Sequence, residues 1–307
     1  MNNILKKVYN SIKNIVFYIL LMLILILILS YIWLKWFIRN YNEYTSFTLL
    51  LKKASNEDNN FMNYGYWKDN TRTLDKASKN LCNYLLQQGG LKHSKKLLDV
   101  GCGYGDQDIY IYSKLSKDTK ITAIDINENI INKAKKNIKK KKLQDKIDFN
   151  VGNACRLEYV DNKFDTVFCL ESAFHYDTRE DFLKEAYRVL EHKGKLVIAD
   201  ILINDDILDI YNYSFKKIFK NLFKIPDANL ISMEQLHKQL EDIGFKVKIW
   251  DISPRVFKPF YKNMITNFKT ENNIGWISST ILGDMYINKL CNGTNCFKYI
   301  VAICEKI

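Results

Sequence analysis

Residues 97–105 read Leu-Leu-Asp-Val-Gly-Cys-Gly-Tyr-Gly, and they carry the strongest structural signal in the chain. A short apolar run with one carboxylate is followed by three glycines at alternate positions and then by a polar, helix-compatible segment. Such a run predicts a buried parallel strand that enters a tight turn before a helix. Glycine is required where the backbone takes a positive φ or where a ligand lies directly against the main chain. The stretch therefore predicts a strand, a ligand-binding turn and a helix.

An acidic residue ends the next apolar run. Residues 121–125 read Ile-Thr-Ala-Ile-Asp, and the acid follows Gly105 by twenty residues. An acid at the end of the second strand of a β-α-β unit can accept hydrogen bonds from both hydroxyls of a ribose. The dinucleotide fingerprint spaces its glycines as G-x-G-x-x-G, whereas this chain has G-x-G-x-G. The pattern predicts a nucleoside-containing cofactor and argues against a nicotinamide-dependent dehydrogenase.

The segment from Leu98 to Gly105 resembles the first motif of the class I S-adenosylmethionine-dependent methyltransferases, in their small-molecule type. The similarity is close from Phe61 to Ala199 and looser beyond. It implies a Rossmann-like enzyme whose cofactor is S-adenosylmethionine. It also implies cofactor contacts from the glycine turn, from the ends of the first two strands and from the turn after the third. The matching residues are Asp99, Gly101, Gly103, Gly105, Asp125, Ile126, Asn153 and Ala154.

Two details of this resemblance concern single residues. Several small-molecule methyltransferases carry an Asn-x-Gly-Tyr-Trp element, similar to residues 63–67, whose tyrosine covers the cofactor; the resemblance implies this role for Tyr66. After the third strand the family usually has an acid that holds the adenine amino group. Asn153 departs from that pattern but still offers a carbonyl acceptor. The alternative for Asn153 is a plain turn residue.

Predicted strands and helices alternate regularly from Lys96 onward. This alternation predicts an α/β fold with a doubly wound, mostly parallel sheet that is covered on both faces. After Asp200 we expect a terminal antiparallel hairpin with helical insertions, which in this family form a substrate lid. The predicted strands are 96–100, 120–126, 147–152, 164–170, 194–200, 245–252 and 298–304. The predicted helices are 72–89, 106–116, 128–142, 178–190 and 233–243, and the lid segments are 203–224 and 255–290.

The segment after the fourth predicted strand carries the candidate catalytic residues. It reads Leu-Glu-Ser-Ala-Phe-His-Tyr over residues 170–176, at the sheet edge where doubly wound folds bind ligands. A histidine can take a proton near neutral pH. The Glu-Ser-x-x-His pattern resembles that of rebeccamycin-type O-methyltransferases, whose histidine is the general base; related enzymes methylate sterols, tocopherols and amines. The resemblance implies that His175 is the base, that Asp200 helps it, and that Glu171 orients the substrate or contacts the cofactor.

A long apolar run near the N-terminus predicts a membrane anchor. Residues 15–34 contain no charge and are dominated by leucine and isoleucine. A helix of this length spans about 30 Å, the thickness of a hydrocarbon core. The run is longer than the apolar region of a signal peptide. We therefore expect residues 1–38 to form one transmembrane anchor, 39–60 a connector and 61–307 the methyltransferase domain.

Two opposed signals bear on the orientation of this anchor. Three lysines precede the span, whereas Lys35 and Arg39 follow it, which slightly favours a cytoplasmic N-terminus. The seven cysteines include no C-x-x-C pair, so we expect free thiols in a reducing compartment. Together with the cofactor, these thiols favour a membrane protein whose catalytic domain is cytosolic.

Composition limits the expected partners. The net charge of +12 would suit a nucleic acid or an anionic membrane, but the lysines are spread through a Lys/Asn/Ile-rich sequence. The chain lacks the Pro-Pro element of amino-directed DNA methyltransferases, so we expect no nucleic acid. We also expect no metal, because the four histidines show no ligand spacing with the cysteines. The expected acceptor is a small, hydrophobic molecule with a hydroxyl group; the alternatives are a lipid or sterol carbon, an amine, or a non-catalytic cofactor-binding membrane protein.

Overall fold

The computed structural model of the chain describes residues 13–26, 28–32, 61–204, 225–270 and 297–307. The chain divides into two compact units, residues 1–50 and 51–307. The first unit contains helix α1 (Lys13–Ile32), which is long and apolar enough to cross a membrane by length and composition. The described side chains of α1 are exposed. The predicted span of 15–34 overlaps this helix, and its last two residues lie outside the described residues.

The second unit is built on a seven-stranded sheet. Its strands are β1 (Lys96–Val100), β2 (Lys120–Asp125), β3 (Ile147–Val151), β4 (Phe164–Leu170), β5 (Leu190–Ile203), β6 (Phe245–Asp251) and β7 (Phe297–Lys306). They lie in the order β3-β2-β1-β4-β5-β7-β6. The first five are parallel, and β7 is antiparallel to both of its neighbours. The predicted doubly wound, mostly parallel sheet with a terminal antiparallel pair is confirmed.

Helices cover both faces of this sheet. They are α2 (Leu74–Gly89), α3 (Asp106–Tyr112), α4 (Glu128–Lys141), α5 (Arg179–Val189), α6 (Met233–Ile243) and α7 (Phe257–Thr270). Neighbouring residues of a strand point to opposite faces, so Leu97 belongs to one core cluster and Leu98 to the other. Helices α2, α3 and α4 contribute to the first cluster, whereas α5 and α6 contribute to the second. The sheet is therefore buried on both sides, and its carboxyl edge is left to bind ligands.

Two boundaries differ from the sequence prediction by four residues, and the other differences are smaller. Strand β5 begins at Leu190 instead of 194, and its pairing with β4 shifts register between Phe164 and Thr166. The first residues of β5 include Lys193, whose φ is +64°. Because these residues are polar and their backbone is irregular, the sequence does not show the apolar pattern of a strand there. Helix α3 ends at Tyr112 instead of 116.

The predicted lid segments are covered only in part. Residues 203–204 close β5, and the start of the second segment contains α7. Residues 205–224 and 271–290 lie outside the described part of the chain. The insertion of two lid segments therefore stays a prediction.

Candidate cofactor and catalytic site

The turn after β1 has a backbone shape that requires glycine. Gly101, Gly103 and Gly105 have φ angles of +81°, +56° and +77°. A Cβ on Gly101 would lie 2.4 Å from the Ser172 side chain, and one on Gly105 would lie 2.4 Å from the ring of Phe149. Among the described residues, a Cβ on Gly103 would meet only the sulfur of Met62, at 3.9 Å. The middle glycine therefore borders open space, as expected where a ligand lies against the main chain.

Asp125 ends β2 and is tied to this glycine turn. Its Oδ2 accepts a hydrogen bond from the Gly103 N–H at 3.2 Å, and its Oδ1 accepts one from the Asn127 N–H at 2.9 Å. Burial raises the pKa of Asp125, although the two N–H groups oppose the rise. Each carboxylate oxygen can accept a further hydrogen bond. The neighbouring Ile126 is 73% exposed, which leaves an apolar surface beside the acid.

The turn after β3 carries two further predicted cofactor contacts, Asn153 and Ala154, of which Asn153 is the predicted adenine contact. Asn153 is exposed, and its Oδ1 accepts a hydrogen bond from the Cys155 N–H at 2.8 Å. This is the local turn geometry that asparagine favours. Because an amide oxygen has two lone pairs, Asn153 keeps one acceptor position. Ala154 is buried. The adenine contact stays a prediction, made by a residue that also shapes the turn.

Asp99 is fully buried behind the glycine turn. Its Oδ2 accepts a hydrogen bond from Gln107 Nε2 at 2.7 Å, whereas its Oδ1 has no hydrogen-bond partner among the described residues. Burial raises the pKa of Asp99 to about 6. Asp108 on α3 is also buried, and desolvation together with the Asp99 charge raises its pKa well above the ordinary range. The sequence analysis did not single out Asp108. Its position on the buried side of α3 is the feature of the sequence that could have identified it.

Glu171 directly follows β4 and is held by two distant segments. Its Oε1 accepts hydrogen bonds from Tyr299 Oη of β7 at 2.5 Å and from the Tyr64 N–H at 2.8 Å. Its φ is +51°, which is uncommon for a residue other than glycine. Burial raises the pKa of Glu171 to about 8, although both hydrogen bonds oppose the rise. A half-buried acid with a strained backbone and a raised pKa is typical of a functional site.

Aromatic rings surround this carboxyl group. The ring of Tyr64 packs edge-on against Phe257, Phe260 and Tyr299, with centroid distances of 5.6, 4.7 and 6.4 Å. Tyr64 and Tyr299 were not singled out in the sequence. They lie 107 and 128 residues from Glu171 in the chain, so no local spacing connects them with it.

Tyr66 lies in a different position from its neighbour Tyr64. Its ring stacks on Tyr84 of α2, with a centroid distance of 4.6 Å and nearly parallel planes. Tyr84 in turn accepts a hydrogen bond from Trp250 Nε1 at 2.8 Å. The described contacts of the Tyr66 ring are therefore packing contacts, and its predicted role over the cofactor stays a prediction.

His175 ends a single turn of 3₁₀ helix, Ala173–His175, beyond β4. It is exposed, and its backbone N–H donates to the Ser172 carbonyl oxygen at 3.0 Å. Ser172 Oγ and Tyr176 Oη flank this turn, and both donate to the carbonyl oxygen of Val100, at 2.9 and 3.1 Å. The turn that carries His175 is thus fastened to the end of β1, next to the glycine turn.

Asp200 is fully buried on β5 and faces a cation. Its Oδ2 lies 3.0 Å from both Nε and Nη2 of Arg179, which is itself buried at the start of α5. Burial raises the pKa of Asp200, and the Arg179 charge opposes the rise. This ion pair fastens α5 to β5. The described contacts of Asp200 are therefore structural, and its predicted assistance to His175 stays a prediction.

Taken together, the residues at the carboxyl edge fit a nucleoside cofactor with an amino acid end. Gly103 leaves room against the main chain, and Asp125 retains acceptor positions beside the exposed Ile126. Asp99 keeps one buried oxygen without a partner in the described structure. A nucleoside needs an acceptor for its ribose and an apolar surface for its base. Both are present on adjacent strand ends.

Known proteins share both the sequence pattern and the fold. Residues 98–198 match the model of a methyltransferase domain family. The chain is 30% identical over 218 residues to erythromycin 3''-O-methyltransferase of Saccharopolyspora erythraea, which covers 69% of this chain and 71% of that one. It is 32% identical over 160 residues to 27-O-demethylrifamycin SV methyltransferase of Amycolatopsis mediterranei, which covers 52% and 57% of the two chains. Its fold is similar to that of geranyl diphosphate methyltransferase in complex with S-adenosylmethionine, with a TM-score of 0.64, 14% identity and coverage of 80% and 98%.

Proposed function

The chain belongs to the class I S-adenosylmethionine-dependent methyltransferases that act on small molecules, and we propose that it methylates a hydroxyl oxygen of a small, hydrophobic acceptor. When bound, the cofactor supplies a methyl group on a positively charged sulfur, which is a good leaving group. The protein then has to align the acceptor oxygen with that methyl group and remove the hydroxyl proton. The residues at the carboxyl edge suit both tasks.

The order of the strands gives the cofactor a direction. We assign the adenine to Asn153 and Ala154 in the turn after β3 and to Ile126 after β2, and the ribose hydroxyls to Asp125 at the end of β2. The glycine turn after β1 and the unpartnered oxygen of Asp99 then receive the amino acid end. Since β4 lies beside β1, this direction brings the reacting methyl group toward the residues that follow β4.

The position of His175 carries the proposal. Its turn is fastened to Val100 through Ser172 and Tyr176, so this exposed residue lies on a turn next to the strand to whose end we assign the cofactor. An imidazole can accept the acceptor's hydroxyl proton near neutral pH. Glu171 lies four residues earlier, and its Oε2 accepts no hydrogen bond among the described residues. We assign to it the orientation of the acceptor.

A carbon or amine acceptor is the second candidate, and the surroundings of Glu171 favour it. Methyl transfer to such an acceptor places positive charge on the acceptor itself. A buried carboxyl group and the faces of aromatic rings stabilise a cation. The rings near Glu171 are those of Tyr64, Phe257, Phe260, Tyr261 and Tyr299.

We also propose that α1 anchors the protein in a membrane and that residues 61–307 form the catalytic domain on the cytosolic side. The length and composition of α1 support this, as do the described cysteines, which are free thiols. Such an anchor would bring the enzyme to lipid-soluble acceptors. Fractionation of cells that express the full chain, followed by alkaline extraction, tests the anchor: a chain released into the soluble fraction would contradict it.

Substitution of His175 tests the hydroxyl chemistry. The full chain, its cofactor labelled on the methyl group, is incubated with lipid extracts and with pure hydrophobic alcohols, and the labelled product is identified. We expect His175→Gln to lower turnover by about 100-fold or more, since general base catalysis contributes on that scale, and to leave cofactor affinity unchanged. His192→Gln is the matched control, because His192 is exposed at the start of β5, away from the carboxyl edge. Normal turnover of the His175 variant would remove the histidine as base, and a methylated carbon or nitrogen would establish the second candidate.

A further inference from the structure

We propose that Asn63, in the segment before α2, binds the amino acid end of the cofactor through its side-chain amide. The inference rests on the assigned cofactor and does not depend on which acceptor is methylated. Asn63 is the first residue of the segment 63–67, but the sequence motifs above assign a role in that segment only to Tyr66.

The position of Asn63 follows from its two neighbours. The sulfur of Met62 is the atom nearest to a Cβ placed on Gly103, at 3.9 Å. The N–H of Tyr64 donates to Glu171 Oε1 at 2.8 Å. The segment therefore crosses the carboxyl edge from the glycine turn after β1 to the end of β4. Consecutive Cα atoms are about 3.8 Å apart, so Asn63 lies between these two points, over the place where the cofactor ends.

The side chain of Asn63 has no partner in the described part of the protein. The residue is only 3% exposed, and both its Nδ2 and its Oδ1 are buried without a hydrogen bond. An unpaired buried amide destabilises a fold, because its hydration is lost and nothing replaces it. Nearby Asn80 shows the ordinary arrangement, since its Nδ2 donates to the Tyr66 carbonyl oxygen at 3.3 Å and to Thr71 Oγ1 at 3.1 Å. An unpaired buried amide is expected where a bound ligand supplies the missing hydrogen-bond partners.

The chemistry of the amide matches one end of the cofactor. With the adenine beyond β3 and the ribose at β2, only the amino acid end reaches the space above β1 and β4. This end carries both a carboxylate and an ammonium group, and a carboxamide can donate to the first and accept from the second. Asp99 Oδ1, another buried acceptor behind the glycine turn, suits the ammonium group. We therefore assign the donor Nδ2 of Asn63 to the carboxylate.

Two ligands that differ only in this end provide the test. Calorimetry of the full chain in detergent compares S-adenosylhomocysteine with methylthioadenosine, which keeps the nucleoside and lacks the amino acid. We expect Asn63→Leu to weaken S-adenosylhomocysteine binding about tenfold or more, as for the loss of a hydrogen bond to a charged group. Binding of methylthioadenosine should stay the same. Without ligand, the variant should unfold at the same or a higher temperature than the wild-type chain, because a buried unpaired group is removed.

Asn80→Leu is the matched control, and it should behave in the opposite way. It removes an amide that has protein partners, so the unfolding temperature should fall while the ratio of the two affinities stays that of the wild-type chain. Asn63→Ala removes the amide without adding volume and replaces the leucine variant if that variant does not fold.

The outcomes that overturn the proposal differ from those that overturn the cofactor assignment. Unchanged S-adenosylhomocysteine binding in the Asn63 variants, or an equal loss for both ligands, would each remove the proposed contact. If the folded wild-type chain bound neither ligand, the cofactor assignment itself would fail.

Discussion

Strand β4 carries an acidic residue near each end, and the two have opposite surroundings. Asp165, near its start, accepts hydrogen bonds from Ser94 Oγ at 2.5 Å and from the N–H groups of Lys95 and Lys96 at 2.6 and 2.9 Å. Glu171 lies just past its end and accepts two hydrogen bonds, both through Oε1. The φ angle of Glu171 itself is +51°. Asp165 uses both oxygens to join β4 to the segment that leads into β1, whereas Glu171 keeps one oxygen unused.

This difference extends to the two edges of the parallel sheet. Near Asp165, Thr119 Oγ1 also finds a partner, the Ser94 carbonyl oxygen at 2.6 Å. At the carboxyl edge, buried polar atoms of Asn63, Asp99 and Asp200 have no hydrogen bond within the described residues. One edge is therefore completed by the protein itself, and the other keeps polar groups available. In a doubly wound fold the carboxyl edge is the one that binds ligands, and a local departure from full hydrogen bonding is expected there.

Removal of Asp165 should have the larger effect on stability. Asp165→Ala leaves two backbone N–H groups and the Ser94 hydroxyl without their acceptor, so we expect the free energy of unfolding to fall by about 2–4 kcal/mol. Denaturant unfolding of the full chain in detergent measures this loss. Cofactor affinity should not change, since Asp165 lies at the other edge. A variant of normal stability with weakened cofactor binding would contradict the division between the two edges.

Replacement of Glu171 should have a smaller effect at acidic pH, and this effect should grow as the pH rises. In wild-type protein the pKa of Glu171 is raised to about 8, against about 4.3 for an unfolded chain. The folded state therefore binds the extra proton between these values, and stability falls as the pH rises from about 4.3 to about 8. Glu171→Gln keeps an acceptor for Tyr299 and Tyr64 but cannot ionise.

The wild-type and Glu171→Gln chains should therefore differ increasingly in stability as the pH rises from about 4.3 to about 8. We expect the stability of Glu171→Gln relative to wild type to increase with pH and to level off above about pH 8. Chemical unfolding at a series of pH values measures the difference, in which the contributions of Asp99, Asp108 and Asp125 largely cancel because both chains contain them. A difference that is constant with pH would show that Glu171 titrates normally.

The strands of the sheet could be predicted because their signals are local. Strand β1 was predicted at 96–100 and β4 at 164–170, with the bounds that the structure has. Each is a short apolar run that is followed by a turn signal. Strand β5 was predicted to start four residues late, because the polar residues after Leu190 resemble a turn. Local pattern therefore sufficed for the sheet and failed where a strand is irregular.

The candidate site residues also divide into those with a local sequence signal and those without one. The glycine turn and Asp125 lie in one β-α-β unit, so their spacing identified them, and the structure joins them through the Gly103 N–H. The partners of Glu171 come from distant segments, and the pairing of Asp200 with Arg179 depends on how α5 packs on β5. Asn63 was missed because an unpaired amide can be recognised only once its surroundings are known.

The most direct measurement is calorimetric titration of the full chain in detergent with S-adenosylmethionine and, separately, with NADH. We expect micromolar binding of S-adenosylmethionine, no binding of NADH, and a loss of about 100-fold or more in Asp125→Ala, which would remove the two charge-assisted hydrogen bonds that we assign to the ribose. Asp165→Ala should retain the wild-type affinity. Absence of S-adenosylmethionine binding in a chain shown to be folded by circular dichroism, or binding that Asp125→Ala leaves unchanged, would contradict the assignment of the carboxyl edge as the cofactor site.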